Sequence, residues 1–93
     1  MESKAIIITA EMVDRLERFL NHLDRLSVQY WNKAEEAEKA GDTETAKKYH
    51  RKSDTIDEKQ YGALKALNEL GFDWKTTFDE RVDGAEKFTL ILP

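Results

Sequence analysis

The chain has 93 residues, with 15 Lys and Arg against 19 Asp and Glu, and a formal net charge of -4. A chain of this length predicts one domain, residues 1–93, with a core too small for a deep catalytic cleft. The absence of cysteine excludes disulfides, thiolate catalysis and cysteine-ligated zinc. Net negative charge argues against non-specific binding to phosphate backbones. No apolar run approaches the roughly 20 residues of a membrane span, so we expect a cytoplasmic protein without membrane contact.

A short β-branched run opens the chain. Residues 4–9 read KAIIIT, which is too short for a helix and is rich in strand-forming residues. We therefore predict a strand over 4–9, with Ile7 on the face opposite Ile6 and Ile8. Thr9 can cap the helix that follows, and Glu11 complements the dipole of its first turn.

The apolar spacing then predicts a long helix over 10–40. Apolar residues recur at alternating steps of four and three, which is the period of an amphipathic helix. The stripe consists of Met12, Leu16, Phe19, Leu23, Leu26 and Tyr30.

A second helix is predicted over 43–70. Gly41 and Gly71 are suited to the left-handed position that ends a helix, and Phe72 can contact Leu67 as in a Schellman motif. If the two helices fold back on each other, Phe19 lies near Ala63 or Leu64, and Tyr30 near Ser53. This pairing of large with small residues favours an antiparallel helical hairpin.

The turn between these helices, Gly41-Asp42 followed by Ala46 and Tyr49, resembles the inter-helix turn of a tetratricopeptide repeat. The proline that commonly closes such a repeat is missing, and a single unit cannot form a solenoid. We therefore ascribe the likeness to shared hairpin chemistry.

After Gly71 the period changes from 3.6 to 2, which predicts strands over 72–81 and 85–92 around an Asp83-Gly84 turn. A two-residue turn would pair opposite charges, whereas a three-residue loop with Gly84 left-handed would place Phe78 opposite Phe88. Exposed charge pairs contribute about 0.2 to 1 kcal/mol, and burial of a large apolar side chain about 1.5 to 3. The bulged register is therefore the prediction.

The predicted fold class is α+β in the order β-α-α-β-β, with the long helical hairpin packed on a small three-stranded sheet. Strand 72–81 carries the most charges and is placed at an edge. The C-terminal strand is placed at the centre, parallel to strand 4–9.

No residue pattern indicates catalysis. His50, Asp54 and Glu58 share a helix face, but without HExxH or a further strong ligand we interpret them as a solvated surface. Nothing resembles a nucleophile with its base, a Walker loop or a GxGxxG turn. We accordingly expect no enzyme activity, no cofactor and no metal site.

Early in the second helix the sequence carries a basic patch. It consists of Lys47, Lys48, His50, Arg51 and Lys52. Pairing with Glu35, Glu36 and Glu38 of the first helix is the simpler interpretation. The alternative is a surface that faces the phosphates of a nucleotide or nucleic acid.

Several apolar residues have no predicted core partner, namely Tyr30, Trp31, Ile7 and Ile91. Trp31 can lie along lysine and glutamate stems or serve as an interface anchor. The leading hypothesis is a non-catalytic protein–protein interaction module that self-associates as a homo-oligomer and docks onto a larger protein. One alternative is a small phage-type inhibitor of a host defence or nucleic-acid enzyme. The other is a nucleotide or nucleic-acid binder that uses Lys47 to Lys52.

Overall fold

The computed structural model describes residues 7–93 and contains two helices and two strands in this range. Helix α1 spans Ala10–Lys39 and helix α2 spans Thr43–Glu69. Strands β1, Asp73–Phe78, and β2, Glu86–Ile91, form one antiparallel sheet. The α+β class and the order of these four elements are confirmed, and both strands are shorter than predicted.

The predicted caps at the start of α1 and at the end of α2 are both present. The Thr9 hydroxyl accepts a hydrogen bond from the Met12 amide at 3.1 Å, which satisfies one of the free donors of the first turn. At the end of α2, Gly71 has φ +93°, and the Phe72 amide donates to the Leu67 carbonyl at 3.0 Å. Phe72 and Leu67 are both buried in the core, so the predicted Schellman motif is confirmed.

The helices form the predicted antiparallel hairpin, but their relative register differs from the prediction. Ser53 lies against Ser27, with 3.0 Å between the hydroxyl oxygens, where Tyr30 was expected. The Gln60 amide donates to the Leu20 carbonyl at 3.2 Å. These buried polar groups must be paired, so they fix which face of α1 meets α2.

That face differs from the predicted apolar stripe, and the difference changes which side chain of α1 enters the core. Leu20 is 0% exposed and belongs to a cluster with Leu67, Phe72, Phe88 and Leu90. Phe19 is 49% exposed, so the expectation that it forms the central contact with Ala63 is wrong. Leucine is branched and compact enough to fill the space between two helices and the sheet.

The sheet has neither of the two registers considered from sequence. Trp74 lies opposite Leu90, Thr76 opposite Phe88, and Phe78 opposite Glu86. The predicted pairing of Phe78 with Phe88 is therefore wrong, and Phe78 is 89% exposed. Gly84 is left-handed as expected, with φ +88°, but it belongs to a longer loop than the predicted three residues.

That loop is fixed by a buried carboxylate. The Asp79 amide donates to the Ala85 carbonyl at 3.0 Å, and the Asp79 side chain bonds Arg25 of α1 at 2.8 Å. The amide of Arg81 also donates to Asp79, at 2.9 Å. Because the partner in α1 is remote in sequence, the alternation within the strands does not reveal this constraint.

Strand β2 is held against α1 by its own backbone. The amides of its alternate residues donate to three polar side chains of α1. The pairs are Glu86 to Asp24, Phe88 to Asn21, and Leu90 to Glu17. These acceptors are spaced by four and three residues, so they lie on one face of the helix.

The predicted strand over 4–9 is not seen in the described part of the chain. Residues 4–6 lie outside the described range, and residues 7–9 precede α1 without strand pairing. The central position assigned to the C-terminal strand is also wrong, because α1 already bonds the edge of β2 where a third strand would pair.

The resulting molecule is long and thin. Its principal extents are 59 × 31 × 16 Å and its radius of gyration is 16.5 Å, against about 12 Å for a compact domain of this length. The loop tip at Asp83 and Gly84 lines a cleft with Trp31 and Asn32. The hairpin beyond Asn32 projects past the sheet, as its length predicts.

Because Leu20 rather than Phe19 lies in the core, truncating these two side chains should destabilise the fold by different amounts. We expect Leu20→Ala to lower the free energy of unfolding by about 2 to 5 kcal/mol. Phe19 is half-exposed, so Phe19→Ala should lower the free energy of unfolding by only about 1 kcal/mol. Urea denaturation followed by circular dichroism measures both. Equal losses of stability would show that Phe19 occupies the core position predicted from sequence.

The environment of Asp79 predicts a pH-dependent contribution to stability. The hydrogen bond from the Arg81 amide, with the hydrogen bond and charge of Arg25, holds the pKa of Asp79 below its ordinary value, although burial opposes this. A lowered folded-state pKa contributes stability above the unfolded pKa of about 3.8, and this contribution is lost as the pH falls through the folded-state value.

Asp79→Asn should therefore lower the free energy of unfolding by about 1 to 3 kcal/mol near neutral pH. Its difference from the wild type should shrink as the pH falls below about 4. Urea titrations across this range measure both effects, with Asp54→Asn as an exposed matched control. A difference that stays constant with pH would contradict the assigned role.

Candidate interaction surfaces

The two tyrosines of the projecting hairpin stack between the helices. The rings of Tyr30 and Tyr49 have centroids 5.9 Å apart and planes inclined by 23°. Lys33 and Lys52 hold their ammonium groups 5.4 to 5.9 Å from these rings. Each lysine therefore lies within cation–π distance of both rings, and the group presents two positive charges above an aromatic pair.

Trp31 and His50 form a second aromatic contact. Their ring centroids are 4.6 Å apart at an interplanar angle of 67°, an edge-to-face arrangement. His50 Nε2 lies 3.1 Å from a carboxylate oxygen of Glu38. Trp31 keeps 47% of its surface exposed, so the contact orients the indole without covering it.

Most of the basic patch lies exposed on α2, with only one of the glutamate contacts expected from sequence. Among residues 7–93, the contacts between the patch and the facing glutamates are limited to that of His50 with Glu38. Lys47, Lys48 and Arg51 are exposed. Their charges therefore face solvent.

The two isoleucines predicted as partner contacts lie away from this aromatic region. Ile91 ends β2 opposite Asp73 and is 40% exposed. Ile7 is largely exposed just before α1. Both belong to the end of the molecule remote from the helical turn, so the structure does not join all the predicted contacts into one surface.

A cleft that sequence reasoning missed lies between the hairpin and the β1–β2 loop. Its volume is about 570 Å³, and Trp31, Ser27 and Ser53 form part of its wall. Four carboxylate residues line it, and no lysine or arginine does: Asp24, Asp57, Asp83 and Glu86. They come from both helices and the loop, and no local spacing relates them. We call this the acidic cleft.

Two of these carboxylates already have structural roles. Asp24 accepts hydrogen bonds from Gln60 and from the Glu86 amide, and Asp57 accepts from the Ser27 hydroxyl. The serine–carboxylate contact has no histidine beside it in this wall, so it lacks the usual base of a serine nucleophile. Its geometry is that of a partly buried link between the helices.

Several large side chains of the described chain remain exposed without having been singled out from sequence. Phe78 is exposed because the sheet register leaves it opposite Glu86, and Phe19 because a different face of α1 meets α2. Tyr61 is also exposed, at 69%. Phe19 and Phe78 depart from prediction because contacts between elements, rather than local periodicity, determine burial.

Two kinds of feature are absent from residues 7–93. No group of three or more His, Asp or Glu side chains is arranged to hold a metal ion there. The described helices also lack a stretch long and apolar enough to cross a membrane.

Comparison with known proteins adds no assignment. No protein-family model matches the chain, and neither the curated proteins nor the solved structures contain a significant match.

Proposed function

We propose that this chain is a non-catalytic protein-interaction module that docks onto a larger protein and also self-associates. The observation that carries this proposal is the thin, extended shape, 16 Å in its smallest extent, with large apolar side chains left uncovered. Domains normally bury such faces between two packed layers. A partner can supply the layer that this chain lacks.

Trp31 is the anchor that we assign to the larger partner. A half-exposed tryptophan held by a neighbouring ring is the type of residue that dominates interface energetics. Because Trp31 also lines the acidic cleft, a partner that covers the indole covers the carboxylates as well. Electrostatic complementarity then favours a cationic surface on the partner.

Site-specific photocrosslinking tests this function. The photoreactive residue p-benzoylphenylalanine is placed at position 31, and at the exposed Gln29 of the same helix as a control. In lysate of the source cells we expect a discrete crosslinked product from position 31 and none from position 29. Excess wild-type protein should compete for it.

Trp31→Ala protein should compete at least about 30-fold less well, as expected for the loss of a hot-spot residue. Equal competition by the variant, or equal crosslinking from both positions, would reject Trp31 as the anchor. Absence of any competed product at both positions would reject docking onto a larger protein.

The exposed basic patch supports a second candidate function, binding of nucleic-acid phosphates. Lys47, Lys48 and Arg51 make no ion pair with a carboxylate among residues 7–93. Such a surface can bind a phosphate backbone even in a protein of net negative charge, provided that the positive potential is local.

Fluorescence anisotropy with labelled duplex DNA separates the two functions. Phosphate binding should weaken steeply between about 50 and 200 mM salt. It should disappear in the combined Lys47→Glu, Lys48→Glu and Arg51→Glu variant. Lys65→Glu, an exposed change elsewhere on α2, should leave it unchanged. Binding that is absent at low salt, or equally reduced by both variants, would eliminate this candidate.

A further inference from the structure

The two edges of the sheet differ in their hydrogen bonding. The edge of β2 is closed, because the amides of Glu86, Phe88 and Leu90 donate to side chains of α1. Residues directly opposite each other in an antiparallel ladder share the same hydrogen-bonding orientation. The amides of Phe78, Thr76 and Trp74, which lie opposite these three residues, therefore point away from β2 along the other edge.

That second edge is open in the described structure. The Trp74 amide donates to the neighbouring Asp73 carboxylate at 2.8 Å. Within residues 7–93 the amides of Thr76 and Phe78 have no hydrogen-bond acceptor. The edge also contains no proline between residues 73 and 78, which is one of the usual means of preventing pairing.

The three β1 residues whose amides point outward also have their side chains on the apolar face of the sheet. Trp74, Thr76 and Phe78 lie on the same face as Phe88 and Leu90, which are buried in the core. Burial falls along β1 from the half-buried Trp74 to Phe78, which is 89% exposed. The apolar face of the sheet is therefore partly covered at the Trp74 end of β1 and exposed to solvent at the Phe78 end.

We propose that the occupant of this edge is a second copy of the chain, whose β1 pairs antiparallel with the first across a two-fold axis at Thr76. This inference rests on the proposed interaction function and names one partner of the module. The two β1 strands extend the sheets into one four-stranded sheet in the order β2-β1-β1-β2. Such an interface is isologous, because the same residues contribute from both copies.

The side-chain pairs favour this register. With Thr76 on the axis, the outward amides of Trp74 and Phe78 meet the outward carbonyls of Phe78 and Trp74 in the second copy. Each exposed phenylalanine ring then lies beside a tryptophan, a favourable cross-strand pair. Lys75 lies opposite Thr77.

The neighbouring register, centred on Lys75, is less favourable. It would place the two Lys75 side chains directly opposite each other, and like charges in that position are destabilising. It would also place Trp74 opposite Thr76, and Phe78 opposite Phe72, which precedes β1 and is already buried in the core. The register centred on Thr76 therefore combines the better apolar contact with the weaker repulsion.

Light scattering and edge variants test the assembly. At about 100 µM, well above a micromolar dissociation constant, we expect twice the chain mass of 10.8 kDa. Phe78→Lys should return the mass to one chain without a loss of stability, because that side chain is exposed. Thr76→Pro should do the same, because the amide that it removes makes no bond within the described chain. Phe19→Lys, on the exposed flank of α1, is the matched control and should remain dimeric.

A cysteine placed on the axis tests the register. The chain has no cysteine of its own, and residues directly opposite in a hydrogen-bonded pair have Cα atoms about 5.5 Å apart, within the range of a disulfide. Thr76→Cys should therefore form a disulfide-linked dimer on mild oxidation. Thr89→Cys, an exposed control on β2, should remain a single chain at the same concentration.

Three results would overturn the inference. They are a wild-type mass of one chain, a dimer abolished by Phe19→Lys but not by Phe78→Lys, and equal disulfide formation by the two cysteine variants. None of them removes the competed crosslink at position 31, so docking onto a larger protein is tested separately. Conversely, the edge dimer can be observed even when that crosslink is absent.

Discussion

The attachment of β2 to α1 is the interaction on which the rest of this structure depends. A two-stranded sheet is marginally stable alone, and here one of its edges is satisfied by side chains of the neighbouring helix instead of by a third strand. Asn21 is buried within this contact, where an unpaired amide would be costly. These polar side chains hold β2 along one face of α1, and this position determines where Phe88 and Leu90 enter the core. It also determines which residues of β1 remain exposed.

A second set of polar contacts fixes the helical hairpin. Ser27 and Ser53 are buried against each other, and Gln60 bonds the backbone of Leu20. In a core with few large side chains, buried hydrogen bonds define one relative register because each alternative register would leave polar groups unpaired. Ala34 and Ala46 are also buried, and their small size permits close approach of the helices near the turn. The cost of this arrangement is that Phe19 is directed to the flank of α1.

These constraints explain why the described part of the molecule has several exposed surfaces. The helices and the sheet cover one another only in the half of the hairpin remote from its turn, so the aromatic contacts of Tyr30 and Trp31 lie on a projecting arm. The acidic cleft lies where this arm meets the β1–β2 loop, and the basic patch lies on α2 of the arm itself. Their opposite charges suit distinct partners, and the open edge of β1 provides a third surface whose recognition depends on backbone geometry.

The sequence by itself determined the two helices, their caps and the change to strand periodicity, because these depend on interactions within a few residues. Gly41, Gly71 and Gly84 were identified correctly as left-handed positions, and Trp31 as an exposed aromatic residue. Only the tertiary structure decided the sheet register, the replacement of Phe19 by Leu20 in the core and the formation of the acidic cleft. Each of these depends on hydrogen bonds or packing between elements distant in the chain, such as Asp79 with Arg25. Apolar periodicity specifies which face of an element is buried, but it cannot specify which polar group on another element will satisfy its backbone.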